Sequence, residues 1–413
     1  MHILMLSTMY PTRAEAHSGI FVLKLAQALV QIGHSVQVIA PIPATPWPVS
    51  RISQRYALLS QQPIYEVYQG VPAHFPRYVV LPRRLVPRLA HYSATRSVVP
   101  LAQRLHTMDP FDVIHLYTAH PLGKAAGVLS KAWNVPYVVH LQGNSFRSCL
   151  GHGKWLSELV RRALLDSTLV VGVGSPLVNL AASVAGPSGP PTVVINYGVN
   201  PEDVILGDPG SMSCRRTGKR ILLTVANLTR SKGIDVALRA FASVKDRFPD
   251  LHYVIVGAGE EEKALKGLAA ALDTGDRVSF EGAQTHKRVM HHMSAADVFV
   301  LVSSNEGFGV VYVEAMGHGL PVIGSLGEGI GDVIVDGHNG MLVPPGNVPA
   351  LVAALTRLLA DPALAGRLGA TARTEVLRNH TWAKVAERWT SAYEEALARY
   401  HSGQPHAPNR HPS

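Results

Sequence analysis

Short apolar runs alternate with helical periodicity along most of the chain. "HILMLS" (2–7) is an unbroken apolar run that ends in the turn-rich "TMYPTRAEAHSG". The following "IFVLKLAQALVQIG" puts Val22, Ala26, Leu29 and Val30 on one helical face, with Gly33 as its C-cap. "SVQVIA" (35–40) is the next strand. Strand, loop, helix and strand at this spacing make a βαβ unit of a parallel sheet. Further strands are predicted at "VIHL" (113–116), "YVVHL" (137–141), "LVVGV" (169–173) and "TVVI" (192–195), with helical patterns between them.

A second series begins at "RILLTVA" (220–226) and continues with "HYVIVG" (252–257), "RVSF" (277–280), "DVFVLV" (297–302) and "PVIGS" (321–325). The join, "GDPGSMSCRRTGKR" (207–220), has turn residues and no periodicity. The pattern therefore predicts an α/β protein of two doubly wound, Rossmann-like domains. The expected divisions are 1–206, a linker at 207–219, and 220–380. A strong helix at 381–400 is expected to pack back on the first domain, before a Pro- and His-rich disordered tail at 401–413. Ligands of such sheets sit beyond the carboxyl ends of the strands, so a cleft shared by the two domains is expected.

Composition narrows the class. At 47% hydrophobic and 16% charged the chain can bury a large core. The cysteines, Cys149 and Cys214, make neither a metal framework nor a disulfide scaffold, and a reduced cytoplasmic compartment is expected. "MHILMLSTMY" lacks a basic leader region, and no run reaches the roughly 18 apolar residues of a spanning helix. The formal charge of +9 favours anionic partners. No motif for reading nucleic acid accompanies it, so none is expected as a partner.

The chemistry gathers in "SNEGFGVVYVEAMGHGLPVIGS" (304–325). A buried strand runs into a glycine-rich loop and then a helix, so Glu306 ends the strand and Glu314 lies about a turn and a half into the helix. Between them the amides near Phe308, Gly309 and Val310 are the unpaired donors of a helix N-terminus, where phosphates bind. Carboxylates flanking such a cradle suit the hydroxyls of a sugar and a ribose.

This arrangement resembles the E-x7-E signature of family 4 retaining glycosyltransferases with the two-domain GT-B fold. "GEGIGDVIVDGHNGMLVPPGN" (327–347), "INYGVN" (195–200) and "HSGIFVLKLAQALVQIGHSVQVI" (17–39) extend the likeness to nearly the whole chain. The resemblance implies that Glu306 meets the transferred sugar and that Glu314 holds the ribose. Lys232, in "TRSKG" (229–233), would neutralise the diphosphate, and the Gly19 backbone would approach it. The family often reads G-R-L where this chain has "ANL" (226–228), so Asn227 replaces the phosphate-binding arginine, and Arg230 is the nearest substitute. In "HLQGNS" (140–145) Gln142 stands where the family often carries histidine, with His140 two residues earlier. Both would lie on one face of a strand, so either is a candidate to meet the sugar. Asp332 matches the acid that follows the glycine loop.

The resemblance further implies a UDP- or GDP-sugar donor, a glycan or lipid-linked acceptor, and a role in polysaccharide biosynthesis. With no Asp-x-Asp motif of metal-binding spacing, no metal or cofactor is expected. Basic residues alternate with apolar ones in "FPRYVVLPRRLVPRLAHYSATRSVV" (75–99), where Arg77, Arg83, Arg84, Arg88 and Arg96 suit contact with an anionic membrane at its cytoplasmic face. Two rival readings remain. "VIVGAGEEE" (254–262) is a fragment of a dinucleotide fingerprint without its third glycine, a weak sign of a dehydrogenase. The Gln142 and Asn227 departures suit a nucleotide-sugar-binding protein without catalysis.

Overall fold

The computed structural model describes residues 1–15, 17–45, 51, 54–79, 87–205 and 218–403. The chain divides into two compact units, Met1–Asn196 with Trp382–Ser413, and Tyr197–Thr381.

The strands of the first unit are β1 (His2–Leu6), β2 (Ser35–Ile39), β3 (Ile42–Pro43), β4 (Tyr65–Tyr68), β5 (Val71–His74), β6 (Arg77–Tyr78), β7 (Val113–Tyr117), β8 (Tyr137–Leu141), β9 (Leu169–Gly172) and β10 (Thr192–Val194). Eight of them form one sheet in the order β10-β9-β8-β7-β1-β2-β5-β4, and β3 pairs with β6. Every neighbour in the large sheet is parallel except the β4–β5 hairpin. All residues of β1, β7 and β8 are buried, which is why they read as unbroken apolar runs rather than alternating ones. The first helix, Ile20–Gln31, buries Val22, Ala26 and Leu29 as expected, but Val30 is exposed and Leu23 and Leu25 complete the core face.

The C-terminal helix, Trp382–Ser402, belongs to this unit. Its Trp389 and Tyr393 are buried, and its Thr390 Oγ1 lies 2.8 Å from His34 Nε2. Residues 404–413 of the expected tail lie outside the described residues.

The second unit holds β11 (Arg220–Val225), β12 (Leu251–Val256), β13 (Val278–Phe280), β14 (Val298–Val300), β15 (Val322–Ser325) and β16 (Met341–Val343). All are parallel, in the order β13-β12-β11-β14-β15-β16. The chain starts in the middle, builds outward to β13, then returns to build the other half from β14. That reversal opens a crevice between the carboxyl ends of β11 and β14. Leu222, Leu238, Phe241, Tyr253, Leu355 and Leu358 are among the residues of the core on one side of this sheet.

The division at Asn196 and Tyr197 falls before the expected end at 206. The cause is packing: the Val199 amide donates to the His380 carbonyl at 2.9 Å, and Val204 abuts Gly317. Residues 207–217 of the expected linker, and residue 206 before it, lie outside the described residues.

Candidate functional site

In the second unit a cavity of about 570 Å³ opens at the carboxyl ends of β11, β12 and β14. Its lining includes Asn227, Lys232, His286, Glu306, Gly309, Val310 and Glu314. A separate cavity of about 320 Å³ lies at the opposite edge, by the amino ends of β11, β14 and β15, with Arg220, Asp297 and Pro321 in its wall. Ligands of such sheets bind at the carboxyl edge, so the larger cavity is the candidate.

Glu306 sits in the loop between β14 and the helix Val310–Gly317. The loop is tied at three points. The Asn305 and Glu306 amides donate to the two carboxylate oxygens of Glu328, at 2.8 and 2.7 Å. The Ser304 amide donates to the Ser231 carbonyl at 2.7 Å. Tyr312 Oη donates to the Leu301 carbonyl at 2.5 Å, pinning the helix to the strand end. Asn305 has φ 60°, a left-handed conformation that such ties sustain.

Gly309 caps the helix at φ +82°, where a Cβ would stand 2.7 Å from the Tyr312 ring. Only glycine fits there, and having no side chain it leaves the first amides of the helix free for an anion. Phe308 is buried against Tyr197, so its side chain is core and only its backbone belongs to the site.

Lys232 ends the 3₁₀ turn Arg230–Lys232 after β11, and its ammonium donates to the Glu306 carboxylate. Both side chains are largely buried. The cation is thus held beside the helix amides by the very carboxylate that lines the cavity. Arg230 is exposed and does not line the cavity, whereas Asn227 does.

Glu314 is half-buried and faces His286, whose Nδ1 lies 3.9 Å from its Oε1. His286 Nε2 is 3.4 Å from Asp203 Oδ2. Burial pushes the Glu314 carboxyl above its ordinary range; His286 pulls it down and Asp203 pushes it up.

Three contributors escaped the sequence reading. Asp203 and His286 lie outside every quoted motif, and Glu328 lies within the glycine loop "GEGIGD" (327–332), where Asp332 is the acid that the resemblance marks. Asp332, the acid expected after the glycine loop, is exposed, and Glu328 grips the loop that carries Glu306.

The remaining expected residues belong to the first unit. Gly19 precedes the first helix at φ +65°, and a Cβ there would fall 2.3 Å from the Met9 carbonyl oxygen. The tight approach of two backbones thus requires glycine. Gln142 follows β8 and caps the helix Gly143–Gly151. It is buried, and neither amide atom has a hydrogen-bond partner among the described residues.

His140 is corrected. It is fully buried beneath the C-terminal helix, with its Nδ1 3.0 Å from His115 Nε2 and its ring 4.7 Å from that of Trp389. His115 in turn lies 2.6 Å from Tyr393 Oη. Burial pushes His140 down to about 3 and His115 well below its ordinary value, so both stay neutral in the core. Arg77 donates to the Gln62 carbonyl and Arg96 is exposed. Arg83, Arg84 and the Arg88 side chain lie outside the described residues.

Residues 213–375 match the family described as glycosyl transferases group 1, and residues 18–198 match a glycosyl transferase 4-like domain. A glycogen synthase of Mycobacterium tuberculosis is 27% identical over 426 residues, covering 99% of this chain and 98% of its own. Among solved structures, sucrose-phosphate synthase from Thermosynechococcus elongatus superposes with a TM-score of 0.74 at 23% identity, over 96% of this chain and 100% of its own. Anabaena HepE in complex with UDP-glucose does so with a TM-score of 0.68 at 20% identity, over 98% of this chain and 100% of its own. These likenesses match the two-domain parallel α/β fold.

Proposed function

The chain belongs to the group 1 glycosyltransferases, and from that premise we propose a retaining enzyme that moves a sugar from a UDP- or GDP-sugar to a glycan acceptor. The observation that carries this reading is the cavity in which Glu306, Lys232, Glu314 and the amides at Gly309 and Val310 converge. In this reading the diphosphate rests on the helix N-terminus and takes Lys232 from Glu306. Released from that pair, the Glu306 carboxylate is free to accept hydrogen bonds from the sugar. Glu314 accepts from the ribose hydroxyls.

The acceptor hydroxyl attacks the anomeric carbon from the face on which the diphosphate leaves. The bond from that carbon to the phosphate oxygen breaks, the bond to the acceptor oxygen forms, and the acceptor's proton passes to the departing phosphate. The chain supplies positioning and stabilisation of the leaving charge by Lys232 and the amides. Chelation with EDTA is therefore expected to leave turnover unchanged; complete loss restored by a divalent metal would contradict this charge assignment.

The glycogen synthase relative supports a glycan as acceptor. We place that glycan on a lipid carrier at the cytoplasmic face of the membrane, a reading that rests on the basic segment 75–99. Binding without transfer is the second reading, favoured by Gln142 and Asn227 standing where the family often carries histidine and arginine. A panel of UDP- and GDP-sugars separates the two: transfer with retained anomeric configuration, read by NMR, supports the enzyme, and binding without turnover supports the alternative.

A further inference from the structure

The charge of the chain is unevenly placed. Residues 67–108 and 113–157 contain ten Lys and Arg and no Asp or Glu, while the rest of the chain holds 28 cations against 29 acids. These two stretches build the helices Pro87–Met108, Gly123–Trp133 and Gly143–Gly151, with β7 and β8 between them. The helices Pro87–Met108, Gly123–Trp133 and Lys154–Leu165 run back along a parallel sheet, so their first turns lie at the carboxyl edge of its strands.

Rings collect at that edge. The His91 ring stacks on His120 at 6.0 Å and 7°, and meets Trp155 edge-on at 6.1 Å. Tyr92, 55% exposed, lies beside His91, and Lys124 Nζ sits 4.4 Å above its ring. Arg96, one turn along from Tyr92, and Lys154, next to Trp155, are both exposed. Glu158 is the nearest acid in sequence, and it is already held by Arg161 and Arg162. His91 is 4% exposed; it hydrogen-bonds the Pro121 backbone, and its Nδ1 has no partner among the described residues. That nitrogen is left as an acceptor for a hydroxyl, within a group of rings beside Lys124, Arg96 and Lys154, which form no ion pair among the described residues.

We infer that His91, Tyr92, His120, Trp155 and Lys124 form a subsite for an acidic saccharide, a sugar ring bearing a carboxylate or a phosphate. The rings offer faces to the C–H side of the sugar, His91 Nδ1 accepts from a hydroxyl, and Lys124 with its cationic neighbours meets the acid group. The inference rests on the proposed function, in which this saccharide is the acceptor's sugar unit.

The test is titration calorimetry on the full chain with methyl β-glucuronide, glucose 6-phosphate and the neutral methyl β-glucoside. The charged sugars are expected to bind about tenfold more tightly than the neutral one at low salt, with the gap closing in high salt. Of the two charged probes, the tighter one identifies the acid group. Lys124→Gln is expected to abolish most of the gap and Tyr92→Ser to weaken all three sugars, while Lys263→Gln, on an exposed helix of the second unit, leaves them as they were. The parent comparison needs no variant to fold. Equal binding of charged and neutral sugars would overturn the inference, as would binding of phosphatidylglycerol vesicles with no saccharide bound. Nucleotide release from UDP- and GDP-sugars by the same preparation reads the proposed function separately: turnover without a preference for charged sugars overturns the subsite alone.

Discussion

The carboxyl edges of the two sheets are built on opposite plans. In the second unit the edge is compact in sequence and balanced in charge: one loop and one helix carry Glu306, Gly309 and Glu314, with Lys232 neutralising Glu306. In the first unit the edge is assembled from the starts of several helices, and Arg96, Lys124 and Lys154 there form no ion pair among the described residues, while Glu158 is taken by Arg161 and Arg162. A nucleoside diphosphate offers the same phosphates and ribose whatever sugar it carries, and a single local motif suffices to hold it. An acceptor has no such constant part, and the subsite inferred for it is drawn from distant segments.

The largest expected effect breaks the donor side of this comparison. Glu306→Gln should lower kcat by about 10²–10³, by analogy with removal of one group that stabilises the transition state. Because the variant also frees Lys232, affinity for UDP or GDP should hold or rise. A raised KM with unchanged kcat would remove Glu306 from the chemistry.

A smaller loss is expected from Glu328→Ala, which deletes the acceptor of two backbone amides and loosens the Glu306 loop. Hydrogen bonds to a charged group contribute about 1.5–3 kcal/mol, so turnover should drop roughly 10- to 100-fold. Faster amide exchange at Asn305 and Glu306 would accompany it; kinetics equal to the parent's would show that the loop holds its shape without the clamp.

The first unit gives a pH prediction. His140 titrates at 6.5 when unfolded and about 3 when folded, so its neutral form is the one the core favours. Its stabilisation is present above pH 6.5 and is lost as pH falls towards 3, amounting to about 2–3 kcal/mol at pH 4.5. Denaturant unfolding should show this loss, with His115 adding to it, and His140→Leu should flatten the slope. A parent stability that is level between pH 7 and 4.5 would contradict the burial of neutral histidines.

Much of this molecule was legible in its sequence, and the failures have identifiable causes. Buried parallel strands such as β1, β7 and β8 appear as apolar runs because both faces are covered. The β4 strand, "YEVY", lies at the sheet edge with exposed and half-buried residues and gives no such run. Glu306 and Glu314, in one segment, and Lys232, in "TRSKG" (229–233), line one cavity. Glu328 was not legible, because its grip on Glu306 spans 22 residues and needs only a carboxylate. His140 was misread for a related reason. Alternation along a strand shows which residues share a face, but not that a helix from the far end of the chain covers it. The His115–Tyr393 contact, 278 residues apart in sequence, marks that covering helix.

The central claim is that the cavity of the second unit holds a nucleoside diphosphate, with its ribose on Glu314. Calorimetric titration of UDP and GDP into the parent and Glu314→Ala proteins tests it most directly. The account predicts that the parent binds one of the two and that the variant binds it about 10- to 100-fold more weakly, the worth of one hydrogen bond to a charged group. Equal affinity of parent and variant, with the sugar present or absent, would contradict it.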